Sequence, residues 1–227
     1  MTNESARYPV FASRSLYSLA RSNPGVRVRL LEGSPPSYAY DILPGCIPAD
    51  EPDSTFVIVM DADTWVNGRL QALLPRPGED ISLRVANVWN NGLLHREEWQ
   101  GICDHFAVPY GPVYSNGIMA CRGSLAAYLR RDLSMFTAII RQQGALGNIV
   151  DPLHLRKRPP WWMSDQFALS ILIAEQRWIV RPLDAQHISW NYRNERGGVV
   201  HHLGKNEDPL AEDRWSKYKQ AVGDAGS

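Results

Sequence analysis

The run Phe56-Val57-Ile58-Val59-Met60 constrains this chain more than any other stretch. Five apolar residues, mostly β-branched and bounded by polar signals, read as a buried strand. The run leads directly into Asp61-Ala62-Asp63-Thr64. Side chains alternate along extended backbone, so Asp61 and Asp63 point the same way where the strand ends. In an open α/β sheet, ligands bind beyond the carboxyl ends of the strands. Two carboxylates about 4 Å apart repel by roughly 4 kcal/mol at a surface-like dielectric. Such a pair holds a cation, shares a proton or splays into water. The competing reading is a strand-ending turn, with Asp63 or Thr64 capping a short helix from Asn67.

The rest of the composition narrows the class. A chain of 227 residues with 44% hydrophobic content can bury a core, and we read residues 1–227 as a single domain. A formal net charge of zero argues against a general nucleic-acid binder. Eight tryptophans and nine tyrosines supply aromatic faces for a core or for stacking on sugars. The three cysteines, Cys46, Cys103 and Cys121, show neither a disulfide framework nor zinc spacing, so a reducing, cytoplasmic setting is expected. No apolar run reaches membrane-spanning length and the polar start Met1-Thr-Asn-Glu-Ser5 is no signal peptide, which leaves only peripheral membrane contact.

Periodicity predicts a helix over Val10–Arg21, stopped by Asn23-Pro24-Gly25, and a strand over Val26–Leu31. Residues 33–54, rich in Pro, Gly and acidic side chains, read as a long loop. After the Asp pair come a short helix over Asn67–Leu74 and a strand over Ile81–Trp89. Residues 90–112 read as irregular, and Val113–Cys121 as a strand interrupted at Asn116-Gly117. Helices follow over Ser124–Gln142 and, capped by Ser164, over Asp165–Glu175. Trp178–Arg181 and Ile188–Trp190 read as short strands, Gly197–Gly204 as a turn, and Ala211–Ala221 as a terminal helix. Alternating strands and helices favour an α/β fold with helices on both faces of a sheet.

Four stretches stand in a telling order: Asp61-x-Asp63, then Tyr114-Ser-Asn116-Gly117, then Ser164-Asp165-Gln166, then His201-His202-Leu-Gly204-Lys205. Singly each has a plain reading: a turn, a helix start, a solvated histidine pair, a surface lysine. Together they resemble the glycogenin and bacterial galactosyltransferase type of glycosyltransferase, over roughly residues 8–209. The resemblance implies a GT-A fold, a mixed sheet flanked by helices, with a reduced N-terminal nucleotide-binding part. It implies that Asp61, Asp63 and His201 hold Mn²⁺, or Mg²⁺, and that Asp61 and Asp63 also meet the donor's diphosphate. It places Asn116, Gly117, Gly204 and Lys205 against the nucleotide-sugar, a UDP-sugar by preference, and gives Asp165 and Gln166 the catalytic work on the transferred sugar.

The chemistry of those residue types agrees. Two carboxylates and an imidazole suit Mn²⁺ better than Mg²⁺, which prefers all-oxygen shells. A bound divalent ion would neutralise the diphosphate as the glycosidic bond breaks, and Lys205 would add a point charge there. Asp165 in the first turn of its helix lies at the positive end of the dipole and is expected to stay ionised. The expected activity is transfer of a sugar, with retention, to a glycan or other acceptor. The alternatives are a non-catalytic GT-A-like carbohydrate- or protein-binding module and a sugar-phosphate nucleotidyltransferase, although the glycine-rich basic loop of the latter is missing after the first strand. Two further groups could serve an acceptor: the basic aromatic stretch His154–Trp162, and the pair Asp104-His105.

Overall fold

The computed structural model describes residues 4–29, 51–52, 54–86, 96–142, 164–190 and 195–202. In chain order the elements are α1 (Glu4–Ser22), β1 (Phe56–Met60), β2 (Thr64–Val66), a 3₁₀ turn (Leu70–Leu73), β3 (Ile81–Val85), α2 (Arg96–His105), β4 (Tyr114–Arg122), α3 (Gly123–Gln142), α4 (Ser164–Gln176), β5 (Val180–Leu183), β6 (Ile188–Trp190) and β7 (Val200–His202). They fall into two compact units. One comprises residues 1–29, 60–74 and 183–227, the other residues 30–59 and 75–182.

The first unit is built on the three-stranded sheet β2-β7-β6. β7 runs antiparallel to β2, with Thr64 opposite His202 and Trp65 opposite His201, and parallel to β6, with Ser189 opposite His201. Helix α1 packs on β2 and buries Phe11 and Leu19. It also presents a polar seam at helical spacing. Ser18 Oγ accepts from the Val66 amide at 3.0 Å and Ser22 Oγ donates to the Val66 carbonyl at 3.1 Å. Asn23 closes the seam: its Oδ1 accepts from the Leu70 amide at 2.8 Å and its Nδ2 donates to the Gly68 carbonyl at 2.9 Å. β2 is an edge strand of this sheet, and α1 takes up the backbone groups a further strand would otherwise pair with.

The second unit carries the sheet β1-β4-β3-β5. Its core gathers Ile81, Leu83, Trp99, Ile102, Met119, Leu129, Leu133 and Phe167, with α4 packed on both β4 and α3. Burying eight such side chains supplies on the order of 1.5–3 kcal/mol each against chain entropy. The antiparallel β3/β4 ladder breaks in the middle. Leu83 faces Met119, but the next residue, Arg84, faces Ser115, so Asn116, Gly117 and Ile118 have no partner on β3. Such a bulge bends the strand and re-aims its side chains.

Several expectations change. Val26–Arg29, the described part of the strand expected over Val26–Leu31, is exposed and carries no strand, with Val26 and Val28 both in solvent. The short helix over Asn67–Leu74 contracts to the 3₁₀ turn Leu70–Leu73. Neither Asp63 nor Thr64 caps it, because the chain turns at Ala62-Asp63 directly into β2. The irregular stretch 90–112 contains helix α2, whose Glu97 and Glu98 open the first turn and whose Trp99, Ile102 and Cys103 face the core. The turn read at Gly197–Gly204 contains β7. Asn116-Gly117 interrupts the strand as a bulge within it, not as an end. The stretch His154–Trp162 and the helix over Ala211–Ala221 lie outside the described residues.

Two positions yield stability tests. Gly123 opens α3 against the turn at Pro52–Thr55: its amide donates to the Thr55 carbonyl at 2.9 Å, and an added Cβ would run into the Pro52 carbonyl and stand 2.8 Å from Thr55 Oγ1. Overpacking against backbone costs about 1–3 kcal/mol. Urea unfolding should show Gly123→Ala destabilised within that range; a variant as stable as the native chain contradicts this seating.

His201 is the second. It is buried, and its Nδ1 lies 2.7 Å from Ser189 Oγ. Burial first, then the charges of His202 and Arg196, push its pKa from 6.5 down to about 4, with Glu195 acting the other way. The unfolded chain therefore binds the extra proton between those two values, and this residue's contribution to stability is lost as pH falls from about 6.5 to about 4. His202 shifts in the opposite sense, so the informative quantity is a difference. The stability of the native chain minus that of His201→Asn should decline across this window and be flat above it. A difference that does not vary with pH contradicts the buried, neutral ring.

Candidate metal centre

The turn that follows β1 and the end of β7 meet within the first unit. β7 is extended, so His201 and His202 face opposite sides of its sheet. His201 turns to Ser189. His202 turns to the carboxylates: its Nε2 lies 3.2 Å from Asp61 Oδ2 and 3.5 Å from Asp63 Oδ1. The donor atoms of Asp61, Asp63 and His202 all stand within 4.8 Å of one another. This corrects the sequence reading by one residue. The His-x-x-Gly spacing selects His201, whereas the pleat and the Thr64–His202 register bring His202 to the pair. Register is set by the tertiary pairing of β2 with β7, which no local motif reports.

The donor set fits a divalent cation on its own chemistry. In an octahedral shell with bonds of about 2.1 Å, neighbouring donors stand about 3 Å apart and opposite ones about 4.2 Å. The two imidazole–carboxylate distances are close to the first figure. The second carboxylate leaves a net negative charge at the turn even with His202 protonated. Burial pulls the His202 pKa down, but the Asp61 hydrogen bond and the charges of Asp63 and Asp61 together hold it above the ordinary histidine value. The same carboxylates that favour the protonated ring would favour a cation beside it. Asp61 is half exposed and Asp63 is largely buried, so the group opens to solvent on the Asp61 side. His202 Nδ1 is buried with no hydrogen-bond partner among the described residues.

The turn itself is held from behind. Thr64 Oγ1 donates to the Asp61 carbonyl at 2.8 Å across the turn. Ser15 Oγ of α1 lies 3.1 Å from Thr64 Oγ1. Neither residue carries a sequence signal beyond an ordinary polar side chain.

The other sequence candidates fall in the second unit or outside the described residues. Asn116 and Gly117 lie in the β4 bulge, Asn116 partly exposed and Gly117 buried. Asp165 and Gln166 open α4; Asp165 is buried, and its Oδ1 accepts from the Gln166 amide at 2.9 Å. α4 is tied to the start of β4 by Ser170 Oγ, which accepts from the Tyr114 amide at 2.9 Å and donates to the Gln166 carbonyl at 2.7 Å. The bulge and the helix start thus belong to two packed elements. Gly204 and Lys205 lie outside the described residues. Asp104 and His105 do not act on each other: Asp104 Oδ1 accepts from Gln100 Nε2 at 2.7 Å, and the His105 ring stands edge-on to Phe106 at 5.1 Å. No helix among the described residues is long and apolar enough to cross a membrane.

No protein-family model matches the chain, and no curated protein matches it in sequence. Its structure is similar to that of the galactosyltransferase LgtC, solved in complex with donor and acceptor sugar analogues. The TM-score is 0.53 at 13% identity, over 96% of this chain and 93% of that one. An active-site mutant of the same enzyme gives a TM-score of 0.53 at 12% identity over the same shares. At such identities the likeness speaks for the fold. The chain has the mixed α/β architecture expected of it, a GT-A fold with its sheets flanked by helices.

Proposed function

We propose that this protein is a metal-dependent glycosyltransferase that moves a sugar from a nucleotide-sugar donor to a glycan or other acceptor. The observation that carries the reading is the convergence of Asp61, Asp63 and His202 at the turn after β1 of a GT-A fold. Asp61, Asp63 and His202 hold the cation, with Mn²⁺ favoured over Mg²⁺ by the nitrogen donor. The bound ion supplies Lewis-acid neutralisation of the leaving diphosphate.

The chain's own residues do the rest. Asp61, on the open side, faces the incoming diphosphate, and Gly204 and Lys205, which follow β7 in sequence, take its oxygens. Asn116 and Gly117 line the sugar pocket; a bulge is where a strand can present a side-chain amide and bare backbone to a ligand. Asp165 and Gln166 bind the transferred sugar. Asp165 is the group that stabilises positive charge building at the anomeric carbon as the bond to the diphosphate lengthens. Its place in the first turn of α4 favours the ionised form this needs. We take the donor to be a UDP-sugar, the outcome to be retention, the chain to work as one domain with a reduced N-terminal nucleotide-binding part, and the setting to be cytoplasmic, all following the resemblance of its motif order. The crystal structure of LgtC holds both donor and acceptor sugar analogues, which supports a two-substrate site of this kind.

Calorimetric titration tests the reading. UDP, GDP and their sugars should bind measurably only with Mn²⁺ present. Asp61→Ala and Asp63→Ala should each weaken that binding about 100-fold or more, and His202→Ala about tenfold or more. Carbohydrate binding indifferent to metal would instead favour the non-catalytic module. A separate expectation concerns the reaction: Asp165→Asn should leave Mn²⁺-dependent donor binding within a few-fold of native while cutting donor turnover about 100-fold or more. Unchanged turnover removes Asp165 from the mechanism.

A further inference from the structure

The turn Asp61–Thr64 is fixed by a directional chain of hydroxyls. A threonine hydroxyl has one proton. Thr64 gives it to the Asp61 carbonyl at 2.8 Å, so the 3.1 Å contact with Ser15 requires the Ser15 hydroxyl to donate to Thr64. Ser15 is in turn set by its own helix turn, where Ser18 Oγ donates to the Ser15 carbonyl at 2.8 Å while accepting from the Val66 amide. Thr64 is fully buried, and Ser15 and Ser18 are buried too. Each donor in such a chain polarises the next, which strengthens the bond at its end.

That end is the backbone of a metal-ligand candidate. The Thr64–Asp61 bond spans the turn, so it fixes the separation of Asp61 from Asp63, which sits between the two bonded residues. Thr64 is also the residue opposite His202 in the β2/β7 ladder. One residue thereby sets the carboxylate turn through its hydroxyl and places the imidazole through its backbone register. We infer that Thr64, held by Ser15, is the positioning residue of the cation site, and that α1 is the scaffold from which the site is preorganised. This rests on the reading of Asp61, Asp63 and His202 as a metal centre. Its chemistry is that of an outer-shell group: Thr64 contributes no ligand atom but determines how far the ligands must move to converge.

The test uses the full chain and Mn²⁺ alone, without donor. Mn²⁺ affinity is read by electron paramagnetic resonance, and the amide exchange of residues 61–64 is read in metal-free protein. Thr64→Val keeps the shape and removes the hydroxyl; it should weaken Mn²⁺ binding about tenfold and speed exchange in the turn. Thr64→Ser restores the hydroxyl and should bring both within about twofold of native. Ser15→Ala, which leaves the strand untouched, should give an intermediate loss and serves if Thr64→Val fails to fold. Ser170→Ala removes a buried hydroxyl from the second unit, away from α1 and β2. It should lower the unfolding midpoint while leaving Mn²⁺ affinity within about twofold of native. Equal Mn²⁺ affinity in native, Thr64→Val and Ser15→Ala overturns the inference, as does failure of Thr64→Ser to rescue. A native chain that binds no Mn²⁺ overturns the metal centre itself, and faster turn exchange in Thr64→Val would then mark Thr64 as a structural lock only.

Discussion

The pleat of a three-residue strand governs this structure. β7 carries two histidines in succession, and an extended backbone can send only one of them to each face. On one face His201 lies against Ser189 of the neighbouring strand, where its ring is buried and its pKa pushed down. The other meets two carboxylates whose mutual repulsion needs a positive charge. The same alternation therefore separates a structural histidine from a functional one. A slip of one residue in the β2/β7 register would exchange the two, bringing His201 to the acids and His202 to the buried side. The antiparallel pairing of Thr64 with His202 is what prevents this.

Helix α1 makes that pairing dependable. β2 is only three residues long and lies at the edge of its sheet, a position that seldom holds geometry well on its own. Ser18, Ser22 and Asn23 supply hydrogen bonds that the sheet does not, so the edge strand is pinned from both sides. The cost is three serines, Ser15, Ser18 and Ser22, on the inward side of an amphipathic helix and Asn23 just beyond its end. Each is matched to a backbone group or a hydroxyl of the segment that carries the site, which is the condition under which buried polar groups are tolerable. The second unit relies on a different device. Its apolar core fixes β4 and α4 together, and the break in the β3/β4 ladder then presents Asn116 and Gly117 on an otherwise regular strand.

Much of this was legible in the residues. The run Phe56–Met60 announced its strand, though not its surroundings, since Phe56 is exposed and the rest only partly buried where a buried strand was expected; the spacing of Leu125, Leu129, Leu133 and Phe136 announced α3, and Ser164-Asp165 announced the start of α4. The Asp pair could be placed at a strand end because five apolar residues preceded it. The failures share one physical cause. Val26–Arg29 alternates like a strand but is exposed and in no strand among the described residues, while Val200–His202 is too short to announce itself and exists because β2 and β6 lie on either side of it. Helix α2 was hidden by Gly101 and the polar residues around it, although Trp99, Ile102 and Cys103 have the spacing of a buried face. The choice of His202 over His201 was beyond any local reading, since it depends on a register set by residues 138 positions away. The hydroxyl chain from Ser15 to Asp61 was equally silent in sequence, since serine and threonine look alike whether they face water or a backbone carbonyl.

The central claim is that Asp61, Asp63 and His202 together hold one divalent ion. Crystals grown with Mn²⁺ and UDP, measured for anomalous scattering from manganese, test it most directly. The account predicts a single strong anomalous peak within bonding distance of carboxylate oxygens from both aspartates and of His202 Nε2, with His201 still against Ser189. A peak ligated by His201, or no peak at the turn in a chain that has bound UDP, would contradict it.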